Sequence, residues 1–129
     1  MYRTITSSKH IVRTVLVLAL ALTFVVACAS PAMALSKKRV ITIIKTVAAQ
    51  KHLSKAEVSA LLKICKRESG YRPTARTGSC KGLFQLMTHF GPNKWQDPKW
   101  NTAKAIRYIK HRYGTCRAAL AHSYSHGWY

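Results

Sequence analysis

Residues 54–70, SKAEVSALLKICKRESG, contain the signals that decide the fold. Ser54 and Glu57 form an S-x-x-E capping box, in which the acidic side chain folds back on the backbone of its own helix. Apolar residues recur on one side of the run at Val58, Leu61, Leu62 and Cys65. Gly70 then disfavours continuation of the helix. The stretch therefore predicts a helix from residue 55 to about residue 68 with one buried face.

Two more helices are predicted, one before and one after this stretch. Ser36 can cap a run from Lys37 to about Gln50. Its apolar residues have one-face spacing at Val40, Ile43, Ile44, Val47 and Ala48. Asp97 and Pro98 begin the other helix, as an N-cap with proline at the first helical position, and it extends to about Arg112. Its apolar positions are Trp100, Ala103, Ile106 and Ile109.

The middle and the end of the chain have a different character. Residues 70–94 are rich in Gly, Pro, Thr and Ser, which indicates loops or a short hairpin. The last stretch, residues 118–129, is short and aromatic. Helices on both sides of a polar middle predict a helix-dominated α+β domain. We assign residues 35–53 to an N-terminal helical segment and residues 54–129 to the main domain.

The first 34 residues have the composition of a secretory signal peptide. Basic side chains come first, at Lys9, His10 and Arg13. Residues 15–27 are almost continuously apolar, and residues 32–34, AMA, form a small-x-small cleavage motif. The apolar run is shorter than the ~20 residues of a membrane span, so we expect a secreted, wall-associated protein. The alternative is a lipoprotein anchored through Cys28, because VVAC at residues 25–28 resembles a bacterial lipobox.

The charge balance narrows the class of partner. The chain has 22 Lys and Arg against three acids, and its formal net charge is +19. A field of this sign attracts polyanions such as anionic wall polymers, acidic lipids or extracellular nucleic acid. No nucleic-acid recognition motif is present, so we expect no specific nucleic-acid partner. The alternative is that most of the basic residues form an ordinary solvated surface and bind no particular partner. We expect the protein to be a monomer.

Three cysteines follow the predicted cleavage point. An odd number of cysteines in an oxidising compartment predicts one disulfide and one spare thiol among Cys65, Cys80 and Cys116, and spacing does not choose the pair. His122 and His126 lie four residues apart, with Cys116 nearby in the sequence. Because there is no paired C-x-x-C motif, we expect no metal site.

Glu68 is the acid that the sequence leaves available for chemistry, because Glu57 and Asp97 are assigned to helix caps. A general acid must hold its proton near neutral pH, which requires partial withdrawal from water. Apolar neighbours are available at Leu61, Ile64 and Cys65. The adjoining Lys66 and Arg67 would lower the pKa of the carboxyl, although neighbouring helical positions point in different directions. The alternative is a salt-bridged surface acid at a helix end, where the dipole disfavours negative charge.

Three motifs in order carry a family resemblance. They are RESGY at residues 67–71, GLFQL at residues 82–86, and Tyr108-Ile109 within the third helix. With the ending GWY at residues 127–129, they make the chain resemble the lysozyme-like lytic transglycosylase (SLT) domain, in the small secreted form of actinobacteria and their phages. The resemblance covers roughly residues 55–129. It implies a lysozyme-like fold that acts on peptidoglycan without a metal or an organic cofactor.

The resemblance implies a role for four residues. Glu68 would be the general acid that protonates the glycosidic oxygen between N-acetylmuramic acid and N-acetylglucosamine. Ser69 would orient its carboxyl group, Gln85 would line the sugar cleft, and Tyr108 would contact the sugar near the scissile bond. Each of the last three has a structural alternative, namely a helix-end hydroxyl, a loop amide and a half-buried helix aromatic. Arg72, Cys80 and Lys81 depart from the family pattern beside the motifs.

The number of acids also bears on the reaction. Ordinary glycosidases use two carboxylates, and here one is available. The resemblance therefore implies a transglycosylase, in which the 6-hydroxyl of the sugar closes an anhydro ring after Glu68 turns from acid to base. Two alternatives stay open, a hydrolytic muramidase of the same fold and a cationic wall-binding protein without catalysis.

Overall fold

Four helices and three short strands make up the part of the chain that the computed structural model describes, residues 35–87 and 94–129. The helices are α1 (Lys37–Gln50), α2 (Lys55–Ser69), α3 (Pro98–Tyr113) and α4 (Cys116–His126). The strands are β1 (Arg76–Thr77), β2 (Cys80–Lys81) and β3 (Leu86–Met87). The helix-dominated α+β prediction is confirmed at this level. The predicted signal peptide and Cys28 lie outside the described residues, and within them no helix is long and apolar enough to cross a membrane.

The first three helices begin where the capping residues predict. The Ser36 hydroxyl accepts from the backbone N of Arg39 at 3.3 Å, and the Ser54 hydroxyl accepts from that of Glu57 at 3.3 Å. Asp97 accepts from the backbone N of Lys99 at 2.9 Å, with a proline at the first helical position. Each cap satisfies a backbone N–H that the helix itself leaves unpaired. The local start signals thus determine where these helices begin.

Helix α4 was not predicted as a helix from the sequence. The Thr115 hydroxyl caps it by accepting from the backbone N of Ala118 at 3.0 Å, and Gly127 ends it in a left-handed conformation. These two residues were the available signal. The stretch was not recognised as a helix because its composition is aromatic and histidine-rich and its apolar side is narrow. The buried residues are Cys116, Ala119, Leu120 and Ser123.

The Glu57 carboxylate corrects the sequence interpretation. It accepts from the backbone N of Cys116 at 2.5 Å and from that of Arg117 at 3.4 Å, and so it lies at the N-terminus of α4. Only the Ser54 half of the capping box therefore forms. A carboxylate is favourable at the positive end of another helix, so this acid serves as a tertiary cap that joins α2 to α4.

The strands form a small antiparallel sheet in the order β1-β2-β3, which confirms a hairpin region in the polar middle. Arg76 pairs with Lys81, and Cys80 pairs with Met87. Between β2 and β3 the chain turns inward, so that Leu83 and Phe84 are fully buried among the helices. The hairpin is thereby held against the helical core.

All four helices share this core, to which α1 contributes Val40, Ile44, Val47 and Ala48. The described residues, 35–87 and 94–129, belong to one compact unit. The largest fully buried side chains are Phe84, Ile44, Leu61, Ile64, Leu83 and Ile106. Burial of such side chains supplies the main driving force for folding, at about 1.5–3 kcal/mol each before entropy is subtracted.

Gly82 and Asn101 fix the hairpin to α3. The side-chain amide of Asn101, which is fully buried, donates to the carbonyl of Trp95 at 3.2 Å and accepts from the backbone N of Phe84 at 3.0 Å. Gly82 has a φ of 83°, and a Cβ there would lie 2.3 Å from Nδ2 of Asn101. No side chain fits in that space, so glycine is required where the hairpin meets α3.

The three described cysteines are free thiols, so the predicted disulfide is wrong for this structure. Cys65 lies in the core, where its thiol donates to the carbonyl of Leu83 at 3.5 Å, and burial raises its pKa to about 12. Cys116 is buried at the start of α4, and burial, with the Glu57 carboxylate beside it, also raises its pKa to about 12. Each buried thiol fills a place in the packing and stays protonated.

Candidate functional site

A cleft of about 470 Å³ lies between the end of α2, the hairpin, α3 and the C-terminal residues. Its walls include Glu68, Gln85, Tyr108, Arg112, Trp128 and Tyr129. Three of the four site residues predicted from the sequence therefore meet in one cavity. The fourth, Ser69, lies outside it.

Glu68 occupies the last turn of α2 and is half-buried at the cleft wall. Desolvation raises the pKa of its carboxyl, and the charge of Arg67 opposes that rise. Within residues 35–87 and 94–129 its carboxylate accepts no hydrogen bond and forms no ion pair. An acid in this environment can hold a proton at higher pH than a free glutamate and can donate it to a group bound in the cleft.

Arg67 does not pair with its neighbour. Its Nε donates to the hydroxyl of Ser123 and its Nη2 to the carbonyl of Ser123, both at 3.1 Å. The guanidinium also lies 4.7 Å from the centre of the Tyr124 ring. The nearest cation in the sequence is therefore committed to α4, and Glu68 stays accessible from the cleft.

Ser69 is buried behind the cleft, with only 3% of its surface exposed. Its hydroxyl donates to the carbonyl of Leu83 at 2.7 Å and accepts from the backbone N of Arg72 at 3.3 Å. These bonds fix the end of α2 to the hairpin. Ser69 thus lies in the core behind the cleft wall, where its hydroxyl positions the backbone of Leu83 and Arg72.

Gln85 lines the cleft and braces the hairpin loop at the same time. Its side-chain Nε2 donates to the carbonyls of Gly82 at 2.9 Å and Ala75 at 3.1 Å. The backbone has a φ of 46°, which is uncommon for a residue with a side chain. Its buried Oε1 has no hydrogen-bond partner within the described part of the chain, and such a strained, under-satisfied group is typical of a functional loop.

Tyr108 projects from α3 into a cluster of aromatic rings. Its ring meets Tyr129 edge-on at 5.9 Å between centroids and Tyr113 at 6.3 Å. The hydroxyl of Tyr129 donates to the carbonyl of Phe84 at 2.6 Å. Burial and the Glu68 carboxylate both raise the pKa of Tyr129 well above its usual value, so the phenol stays protonated and keeps that bond.

Arg112, Trp128 and Tyr129 also line the cleft, and none of them was among the four predicted site residues. The guanidinium of Arg112 lies 5.1 Å from the Trp128 ring and 5.9 Å from the Tyr108 ring. The signal for Arg112 was its spacing, since residues four apart on a helix share a face. The ending GWY contributed to the resemblance without suggesting that its rings form a cleft wall.

The other two acids stand at helix N-termini, Glu57 at α4 and Asp97 at α3. The chain has three acids in all, so Glu68 is the only one in the cleft wall. Among the residues that the structure describes, no group of three or more His, Cys, Asp or Glu side chains is arranged to hold a metal ion.

The cleft therefore combines one half-buried carboxyl group, an aromatic wall and a cation. No family model matches the chain, and no match was found among curated proteins or among solved structures.

Proposed function

We propose that this protein cleaves the glycan strand of peptidoglycan at the linkage from N-acetylmuramic acid to N-acetylglucosamine. Glu68 serves as the single general acid and base. The observation that carries the proposal is the half-buried Glu68 carboxyl at the wall of an aromatic-lined cleft, with a raised pKa and no ion pair among the described residues. The likeness of the RESGY and GLFQL motifs to the lytic transglycosylase domain adds the substrate class.

In the first step, protonated Glu68 donates its proton to the glycosidic oxygen. The bond from C1 of the muramic acid to that oxygen breaks, and the N-acetylglucosamine side leaves as an alcohol. Positive charge develops at C1, where the substrate's own N-acetyl group stabilises it. Partial burial of Glu68 favours this step because a general acid works best when its pKa lies near the working pH.

In the second step, the Glu68 carboxylate accepts a proton from the 6-hydroxyl of the same sugar. The freed oxygen attacks C1 and closes a 1,6-anhydro ring, so that no water is consumed and the enzyme regains its proton. A two-carboxylate mechanism needs a second acid about 5–9.5 Å from the first. Because Glu57 and Asp97 are held at helix N-termini, the transglycosylase reaction is favoured over hydrolysis.

The remaining walls suit a sugar polymer. Tyr108 and Trp128 present aromatic surface, and Trp128 is 49% exposed. Arg112 places positive charge at the same wall, where the carboxylates of muramic acid or of its peptides would be attracted. The large excess of basic over acidic residues, 22 Lys and Arg against three acids in the full sequence, would concentrate the protein on an anionic wall. This substrate agrees with the expected secretion.

The test is digestion of purified peptidoglycan, with soluble fragments analysed by mass spectrometry. We expect fragments with anhydro ends, lighter by one water than hydrolysis products. Fragments with reducing ends would instead indicate a hydrolase in the same cleft. Glu68→Gln keeps the shape and removes the proton donor, so it should abolish fragment release. If this variant clears wall material as well as the unsubstituted protein does, a charge effect is responsible and the enzymatic proposal fails.

A further inference from the structure

A second concave surface runs along a different side of α3. It is a groove of about 660 Å³ that shares no lining residue with the Glu68 cleft. Its cationic side chains are Lys51, Lys104, Arg107 and Lys110. Its floor is apolar, with Trp100, Ala103 and Ile106. The groove thus joins a concave apolar floor to a basic rim.

Helical spacing explains how the groove arises. Lys104, Arg107 and Lys110 follow one another at steps of three residues, which places them along one side of α3. Lys51 comes from the other wall, at the C-terminal end of α1. Lys51, Arg107 and Lys110 are exposed, so their ammonium and guanidinium groups are open to a ligand.

No acid neutralises this groove. None of the chain's three acids lines it: Glu57 caps α4, Glu68 faces the cleft, and Asp97 accepts from the backbone N of Lys99 at 2.9 Å. Four cations line one concave surface and no acid lines it with them. Their positive field therefore extends into the solvent and attracts an extended polyanion.

We propose that this groove binds a linear phosphodiester polymer that carries no bases, such as a chain of phosphate-linked polyols. Closely spaced phosphates match cations repeated along a helix face, and each contact releases a counterion. Nucleic acid fits less well, because single strands bind through aromatic rings on which bases stack. The one tryptophan of the groove, Trp100, already has the Lys104 ammonium 5.4 Å from its ring centre. This binding site goes beyond glycan cleavage and does not depend on Glu68.

The test measures the affinity of the purified protein for fluorescently labelled poly(glycerol phosphate) by anisotropy at several salt concentrations. The groove variant replaces Lys51, Arg107 and Lys110 by glutamine. The control variant replaces Lys38, Arg39 and Lys45 of α1, which are also two exposed lysines and one exposed arginine. Both variants therefore have the same net charge. All six side chains are on the surface, and thermal unfolding of each variant reports that the fold is intact.

We expect the groove variant to lose roughly tenfold or more in affinity near physiological salt. The slope of log K against log salt should become shallower by about 2, since three phosphate contacts are lost. The control variant should lose less than about threefold, since its charges act only at long range. Equal losses in the two variants would overturn the proposal, because net charge alone would then explain binding. A single-stranded oligo(dT) of equal phosphate number that binds the groove more tightly would also overturn it, in favour of nucleic acid.

Discussion

The guanidinium of Arg67 donates two hydrogen bonds of 3.1 Å to Ser123, although its sequence neighbour is the acid at the cleft wall. The side chain thus ties α2 to the last part of α4, and it influences Glu68 only through its field.

Arg67→Gln should raise the pKa of Glu68, because the charge of Arg67 lowers it in the present structure. A general acid is active while protonated, so the alkaline limb of the activity profile should move to higher pH. Carbon-detected NMR measures the titration directly, since the chain has only two glutamates. Lys66→Gln, which removes an equal charge from an exposed neighbour, is the control and should leave the titration almost unchanged. A fall in the pKa on removal of Arg67 would contradict this account.

Glu68→Gln should stabilise the protein at neutral pH. Burial raises the pKa of Glu68 in the folded state, so folded protein binds protons more readily, and the stability of the unsubstituted protein falls as pH rises through that range. The gain of the variant should be below about 1 kcal/mol, because solvent screens a half-buried group. It should vanish below about pH 4, where the carboxyl is neutral in both states. Denaturation at pH 7 and pH 3.5 measures both, and an equal gain at the two values would show that charge is not the cause.

Ser69→Ala should lower stability and leave substrate affinity unchanged. The carbonyl of Leu83 would lose a bond of 2.7 Å in a buried place, which costs about 1–3 kcal/mol. Ser59→Ala, at an exposed position of the same helix, is the matched control and should be nearly neutral. Denaturant unfolding and KM on soluble glycan fragments separate the two roles. A raised KM without loss of stability would place the hydroxyl in contact with substrate.

Gly82→Ala should cost about 3 kcal/mol or more. The new Cβ would lie 2.3 Å from Nδ2 of Asn101 and 2.6 Å from the carbonyl oxygen of Trp95, so the hairpin would have to leave α3. Gly78→Ala provides the comparison, because it has a similar positive φ of 57° with no atom within 4 Å of the Cβ. It should cost only about 1 kcal/mol of backbone strain. Equal losses would mean that conformation, and not the contact with Asn101, requires glycine.

The extent to which sequence predicted structure follows from the range of the interactions. Ser36, Ser54 and Asp97 bond to residues two or three positions away, so their helices could be predicted from local patterns. Glu57 has equally local options, yet its carboxylate accepts from the N-terminus of α4, because those backbone N–H donors come within reach only in the folded chain. The local sequence does not distinguish an acid that caps its own helix from one that caps another helix.

The site divides in the same way. Glu68 was predictable because counting acids and caps needs no tertiary information. Tyr129 joins the cleft through the carbonyl of Phe84, which lies 45 residues away in sequence. The burial of Ser69 depends on the path of the hairpin. The strands of the hairpin have two residues each, which is too short for a sequence pattern to predict that path. Residues that act through distant backbone were therefore the ones that sequence reasoning missed or placed differently.

The bond from Glu57 to the start of α4 spans 59 positions of the chain. Contacts of such long range form slowly, because the intervening segment loses conformational entropy before the contact stabilises the chain. The last helix has little amphipathic character of its own, so it should complete its first turn only after α2 is in place. Formation of the native state is consequently deferred until the segment that forms α4 has been made.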